Sequence, residues 1–305
     1  MSKFDLSAIV NTVQEQYKKD KKSQGMITTG DSIRQEYKET DGVKLPPTHP
    51  VRELAGLPCL PYNKIVQISG PPDSGKSTCA GEAMASAQKT DHIVIVWDSE
   101  DKLDAQRYDT KFKGSAKDLL VVKTNEILQG GEKVRKLAIA AKDKYPNAKV
   151  FIVWDSVGGS QARGAAEREL DSEKHGQPGQ DAKENGAVMK MFVGLINKYP
   201  DSISVLLINQ VYAKIGFMQV GDAESGGKKI EFHSSLIIRL KRIKTLTKVI
   251  KGRKVKYGIL TRGTVAKNHL SQSETSLHQL DFEITANGAT VSGEQSEETE
   301  SDSDI

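Results

Sequence analysis

The nine residues Gly70-Pro71-Pro72-Asp73-Ser74-Gly75-Lys76-Ser77-Thr78 constrain this chain more than any other stretch. They fit the pattern GxxxxGK[ST] and lie between a β-branched apolar run, residues 64–69, and a segment with helical spacing, residues 76–88. Glycines there let backbone N–H groups wrap a polyphosphate, and the helix N-terminus adds a favourable dipole. Lys76 brings a point charge to the β- and γ-phosphates, and Ser77 a hydroxyl to Mg²⁺. Gly70, Pro71, Pro72, Asp73, Ser74, Gly75, Lys76, Ser77 and Thr78 are therefore expected to cradle a nucleoside triphosphate.

The same strand-then-helix rhythm continues. Runs apolar on both faces occur at 64–69, 92–97, 119–122, 149–154 and 203–209, with helical stretches near 76–88, 102–112, 132–144 and 182–198. Strands without a polar face, separated by helices, predict an α/β fold with a mostly parallel central sheet covered on both sides. Residues 234–284 read as antiparallel strands added at one edge. Residues 5–20, with Leu6, Ile9, Val10, Val13 and Tyr17 near helical spacing, read as an amphipathic helix too short to stand alone. Residues 21–50 are a polar linker with room for one short strand, and the expected division is 1–50, a core at 51–288, and an acidic disordered tail at 289–305.

Two further strands end in acids, where ligands of open α/β sheets collect. Val153-Trp154-Asp155-Ser156 offers Asp155 to the Mg²⁺ shell opposite the phosphate loop. Trp97-Asp98-Ser99-Glu100 offers Glu100 as a carboxylate that could polarise an attacking water, or as a simple acid ahead of a helix.

Charge is distributed unevenly. The net charge is only +4, yet nine acids and no Lys or Arg follow Lys267, while residues 228–267 hold thirteen basic residues and one acid, Glu231. That arrangement suits a polyanion-binding face with an acidic competitor, and equally a solvated β-ribbon with a solubilising tail. With 28% charged residues and no apolar run of about 18 residues, no membrane-spanning helix is expected. The first residues lack a signal-peptide core, and two cysteines fit a reducing compartment, so a cytoplasmic location is expected.

With these elements in order, the sequence resembles the RecA family of ATP-dependent recombinases, and most of all its compact bacteriophage UvsX-type branch. The likeness runs over roughly residues 50–285 and is most specific at Leu207-Ile208-Asn209-Gln210, Lys214-Ile215-Gly216 and Gly226-Gly227. It implies ATP and Mg²⁺ as cofactors, with Lys76, Ser77, Thr78 and Asp155 around phosphate and metal, and Glu100 as general base. Gln210 would sense the γ-phosphate, Asp104 would lie beside the adenine, and Arg107 stands where a base-stacking aromatic occurs in bacterial members. Two DNA-holding segments would span about 157–180 and 211–227, with Arg163, Lys214, Ile215, Gly216, Phe217, Gly226 and Gly227 near DNA. Their composition suits that use: Lys214 can meet a phosphate, Ile215 can wedge between bases, and the paired glycines admit close backbone approach. Ile215 and Phe217 could equally be packing residues. Lys267 and His269 stand where the family carries two lysines that reach a neighbour's ATP, and His269 lacks the fixed charge.

The resemblance implies a protein of DNA recombination and repair. It would form filaments on single-stranded DNA, exchange strands with double-stranded DNA, and meet mediator and single-stranded-DNA-binding proteins. If the source is viral, the location would be the host cytoplasm. A paralogue that regulates another recombinase's filament, and a hexameric helicase of the same fold, remain open on the sequence.

Overall fold

The computed structural model describes residues 6–16, 41–163, 179–214, 221–270 and 277–291. The chain divides into two compact units, Met1–Glu39 and Thr40–Ile305. In the first, helix α1 spans Leu6–Gln16, with Ile9 exposed and Thr12 Oγ1 donating to Ala8 O. The rest of the expected 5–20 helix, and the acidic tail from residue 292, lie outside the described residues.

The second unit begins with strand β1 (Gly42–Lys44), helix α2 (Pro50–Ala55) and strand β2 (Cys59–Pro61). β1 and β2 pair antiparallel as a separate small sheet. The repeating part follows: β3 (Ile65–Gly70), α3 (Lys76–Lys89), β4 (His92–Asp98), α4 (Ala105–Lys111), β5 (Leu119–Lys123), α5 (Ile127–Lys144), β6 (Lys149–Asp155), α6 (Gln180–Lys198) and β7 (Ile203–Lys214). Then come β8 (Gly221–Glu224), α7 (Lys228–His233) and four more strands: β9 (Leu236–Ile250), β10 (Arg253–Asn268), β11 (Gln279–Thr285) and β12 (Gly288–Val291).

One large sheet has the order β12-β11-β10-β9-β3-β7-β6-β4-β5, with β8 added on β7. The six strands from β9 to β5 are parallel, and β10, β11 and β12 continue the edge antiparallel. The expected α/β architecture with helices on both faces and antiparallel edge strands is therefore present, with one correction: β9, expected among the antiparallel strands of 234–284, joins β3 in parallel, and the antiparallel edge begins only at β10.

Alternation along the central strands divides the core in two. Val66, Ile68, Val94, Val96, Phe151, Val153, Leu206 and Ile208 face one side, where α3 packs through Cys79, Ala80, Ala83 and Met84. Ile65, Ile95, Trp97, Ile152, Trp154, Val205 and Leu207 face the other, against Val134 and Ala138 of α5 and Val188, Met189 and Phe192 of α6. Each large apolar side chain buried this way contributes roughly 1.5–3 kcal/mol. At Gly130 of α5 the helix comes so close that an added Cβ would lie 2.0 Å from Trp97 Cζ2. Trp97 itself stacks on Trp154 with ring centroids 4.1 Å apart and planes 7° from parallel. This packing fixes the spacing of β4 and β6 just before their terminal acids, which sit in register, Asp98 opposite Asp155.

Candidate functional site

The C-terminal ends of β3, β4, β6 and β7 converge on a cleft of about 840 Å³. The phosphate-loop residues enter it from β3. Gly70 (φ 157) turns the chain where an added Cβ would sit 2.3 Å from Leu240 O of β9. Gly75 (φ 98) is the N-cap of α3, with no side chain capping the helix. The first N–H groups of α3 are thus left to a ligand. Lys76 Nζ donates to Pro71 O at 2.8 Å, folding the side chain over the loop, and burial pushes its pKa down. Ser74 Oγ is buried without a hydrogen-bond partner.

Asp155 stands opposite. Burial pushes its carboxyl up to about 6, helped by the charges of Glu100 and Asp98 and opposed by a hydrogen bond from Ser77 and the charge of Lys76. A hydroxyl and a carboxylate that meet among crowded acids form an oxygen donor set suited to a hard divalent cation. Ser77 and Asp155 therefore fit Mg²⁺, and the open helix end with Lys76 fits the phosphates it would accompany. Among the described residues no cluster of three or more His, Cys, Asp or Glu side chains marks a separate metal site.

Glu100 and Gln210 meet across the ends of β4 and β7. Glu100 Oε1 accepts from Gln210 Nε2 at 2.8 Å and from the Ser156 hydroxyl, while Lys102 Nζ is ion-paired to Oε2. Burial disfavours this carboxylate, but the hydrogen bonds from Lys102, Ser156 and Gln210 outweigh it and hold Glu100 below the usual carboxylate range. Ser99 and Ser156 lock the two strand ends together: Ser99 Oγ donates to Ser156 O at 2.7 Å and accepts from Ser156 N at 3.0 Å. Gly159, in the short 3₁₀ turn Val157–Gly159 after β6, leaves room for Glu100.

Asp104 and Arg107 line the cleft on the α4 side, where Asp104 caps the helix by accepting from Arg107 N at 2.9 Å. The facing wall is β10 and β11, through Lys256, Tyr257, Ile259, Ile284 and Thr285.

Of the residues expected at DNA, Arg163, Gly226 and Gly227 do not line this cleft. Arg163 is exposed at the end of a described stretch whose base is closed by Ala162 N donating to Asp181 Oδ1 at 2.7 Å. Lys214 ends β7, which pairs with β8 from Val211 opposite Glu224 to Lys214 opposite Gly221. The expected open segment 211–227 is thus a strand pair at its base, and Ile215, Gly216 and Phe217 lie outside the described residues. Gly226 and Gly227 (φ 88 and 83) form the turn into α7, and a Cβ at Gly226 would sit 2.7 Å from Val157 Cγ1. Asn209 Nδ2 donates to Ser225 O at 2.9 Å, and Ser225 N to Gln210 O at 3.0 Å, coupling this turn to Gln210.

Lys267 and His269 do not line the cleft of their own chain. Lys267 Nζ donates to Glu231 O at 2.9 Å and Phe232 O at 3.2 Å, at the C-terminal end of α7, and His269 N donates to Ser235 O. Phe232 beside them is 77% exposed.

Sequence reasoning missed Ser99, Ser156 and Lys102, and the β10–β11 wall. Ser156 carried a faint signal as the residue after a strand-terminal acid. Ser99 follows Asp98 in the same way and Lys102 lies two residues from Glu100 on the same turn, whereas the β10–β11 wall depends on which strands are neighbours.

The family profile for the RecA N-terminal domain matches residues 21–288. Among curated proteins, protein RecA of Zymomonas mobilis subsp. mobilis is 32% identical over 231 residues, covering 75% of this chain and 60% of that protein. Protein RecA of Nitrobacter winogradskyi is 31% identical over 230 residues, 75% of this chain and 58% of that protein. For protein RecA of Blastochloris viridis the match is 30% over 241 residues, covering 78% and 64%. The chain thus spans about three fifths of the length of these relatives.

Proposed function

Because the chain belongs to the RecA family, we propose that it is an ATP-dependent recombinase that assembles on single-stranded DNA as a helical filament and pairs it with homologous double-stranded DNA. One observation carries this reading: Gln210 Nε2 and Ser156 Oγ both donate to Glu100 Oε1 over the phosphate-loop cleft, and the strand bearing Gln210 runs directly into the segment assigned to DNA. A site built that way can join nucleotide state to DNA contact.

In the reaction, Lys76 and the N–H groups at the start of α3 hold the ATP phosphates, with Asp104 and Arg107 beside the base. Ser77 and Asp155 would hold Mg²⁺, which supplies charge neutralisation at the β- and γ-phosphates. Glu100 orients a water for in-line attack on the γ-phosphoryl, and Gln210 reports the result along β7. Lys267 and His269 would act in the cleft of an adjoining subunit, which agrees with their absence from their own cleft. Arg163, Lys214, Ile215, Gly216, Phe217, Gly226 and Gly227 would hold DNA by backbone contact and wedging, giving sequence-tolerant binding. Within the family we assign the chain to the compact bacteriophage UvsX-type branch on its Lys214-Ile215-Gly216 and Gly226-Gly227 motifs. Host cytoplasm is the location and mediator and single-stranded-DNA-binding proteins are the partners that go with it. Among the described residues no helix is long and apolar enough to cross a membrane.

His269, in place of a second lysine, favours one other reading, a regulatory paralogue that joins another recombinase's filament. ATP hydrolysis with and without single-stranded DNA, with electron micrographs of the same samples, tests the two. DNA-stimulated hydrolysis with helical filaments of the chain alone supports the recombinase. Hydrolysis indifferent to DNA, without filaments, sinks it in favour of the paralogue.

A further inference from the structure

The turn after β4 carries a cation that the phosphate-loop mechanism does not use. Lys102 Nζ is ion-paired to Glu100 Oε2, while Oε1 of the same carboxylate already accepts from Ser156 and Gln210. Both oxygens are engaged before any water arrives. The lysine is delivered by a pinned backbone: Asp98 Oδ1 accepts from Lys102 N at 3.0 Å and Oδ2 from Leu103 N at 2.9 Å, with Asp101 between them in the left-handed region at φ 52. Glu100 is 19% exposed and Lys102 is 75% exposed, so the cation closes the carboxylate from the solvent side. Lys102 also lines the nucleotide cleft.

A water-orienting carboxylate must present an oxygen to that water, and here the outward oxygen faces an ammonium. Resting on the assignment of Glu100 as the base, we infer that Lys102 is a positioning residue that restrains Glu100 in the DNA-free protein and so keeps its hydrolysis low. Gln210 provides the release. It donates to the same carboxylate and is tied through Ser225 to the turn at Gly226, so a shift of the β7–β8 pair on DNA changes the hold on Glu100 from the other side. An exposed lysine on a flexible stem is suited to the outer half of such a clamp, because it detaches at small cost.

The test compares the full chain with Lys102→Gln and Lys102→Arg in steady-state ATP hydrolysis, without DNA and with saturating single-stranded DNA. Removing the charge should raise the DNA-free kcat about two- to fivefold, the range of a solvent-exposed ion pair. The KM for ATP should stay within about twofold, and the factor of stimulation by DNA should fall, because the DNA-bound state has already released Glu100. Lys102→Arg, which keeps the charge, should recover the restraint. Salt gives a readout that a merely structural lysine would not move: the DNA-free kcat of the unsubstituted chain should climb with ionic strength, and that climb should vanish in Lys102→Gln.

A fall of kcat in Lys102→Gln under both conditions would overturn the inference by making the lysine a helper of the reaction. An unchanged DNA-free rate would overturn it by showing an idle surface pair. The Glu100→Gln variant separates the premise, since hydrolysis that survives in it removes Glu100 as the base whatever Lys102 does.

Discussion

Replacing Gly159 by alanine tests the catalytic geometry with a single methyl group. The new Cβ would lie 2.3 Å from Glu100 Cγ and 2.8 Å from its Cδ and Oε1. Ordinary contact begins at about 3.4 Å, so the carboxylate must retreat by about 1 Å. Gly159 is not among the residues with a left-handed backbone, so alanine meets no conformational strain of its own. The retreat takes Glu100 Oε1 away from Gln210 Nε2 and the Ser156 hydroxyl, and each lost hydrogen bond costs about 1 kcal/mol of stability. The effect on chemistry should be larger, because misplacing a water-orienting base by about 1 Å costs on the order of 10²-fold in rate. The phosphate cradle lies on β3 and α3, away from the added methyl, so the KM for ATP should move little. The assay is DNA-stimulated ATP hydrolysis over a range of ATP concentrations, with a melting curve to show that the variant folds. A variant with undiminished kcat would refute the placement of Glu100 as the base.

Lys76→Ala removes the cation folded over the loop and should abolish nucleotide-dependent filaments; normal strand exchange by that variant would disprove the phosphate site. Gly130→Ala drives a methyl to 2.0 Å from Trp97 Cζ2 and should cost about 1–3 kcal/mol or more, read as a lowered Tm; an unchanged Tm would mean that α5 is not seated on the indole. Glu82 of α3 gives a pH test: burial pushes its carboxyl up from 4.5 to about 7, against a hydrogen bond from Ala289 N at 2.8 Å and the charge of Lys111. Because the folded chain holds this proton more tightly than the unfolded one, stability should fall as pH rises from about 4.5 to 7 and then level off, by on the order of 3 kcal/mol. Glu82→Gln should therefore raise Tm at pH 8 and leave it unmoved near pH 4.5, and equal effects at both pH values would contradict this account.

The parallel strands β3 to β7 begin within one residue of where the sequence puts them, because each is a short β-branched apolar run, and β3, β4 and β6 are buried almost throughout, whereas the edge strand β5 leaves Leu120 and Val121 exposed. Helix α5 was harder. Helical spacing is read only from about 132, yet the helix starts at Ile127, because Gly130 and Gly131 let it lie against Trp97 and Val188. α4 starts at Ala105 and not near 102, since the Asp104 side chain caps it and Asp98 holds the backbone before it. β1 falls within 21–50, where one short strand is expected, but its partner β2 and their pairing are not legible, as three-residue strands joined across a helix carry no periodicity. At the site, Lys76, Glu100 and Asp155 could be named from motifs, and Gln210 from the family resemblance. Their mutual contacts could not, because Ser156 reaches Glu100 only when β6 lies beside β4. The paired glycines at 226–227 are expected to admit close backbone approach, and Gly226 also closes on Val157 and Asn185 within the fold, a contact that no motif announces.

Trp97 and Trp154 are the only two tryptophans in the sequence, and each is followed directly by one of the registered acids Asp98 and Asp155. All of the protein's indole absorption therefore arises from two nearly parallel rings 4.1 Å apart, one residue below the cleft. Two chromophores that close share their excited states, so the near-ultraviolet circular dichroism and the emission should depend on the gap between β4 and β6. A change of strand spacing beneath the phosphates would then register optically, with no label and no substitution.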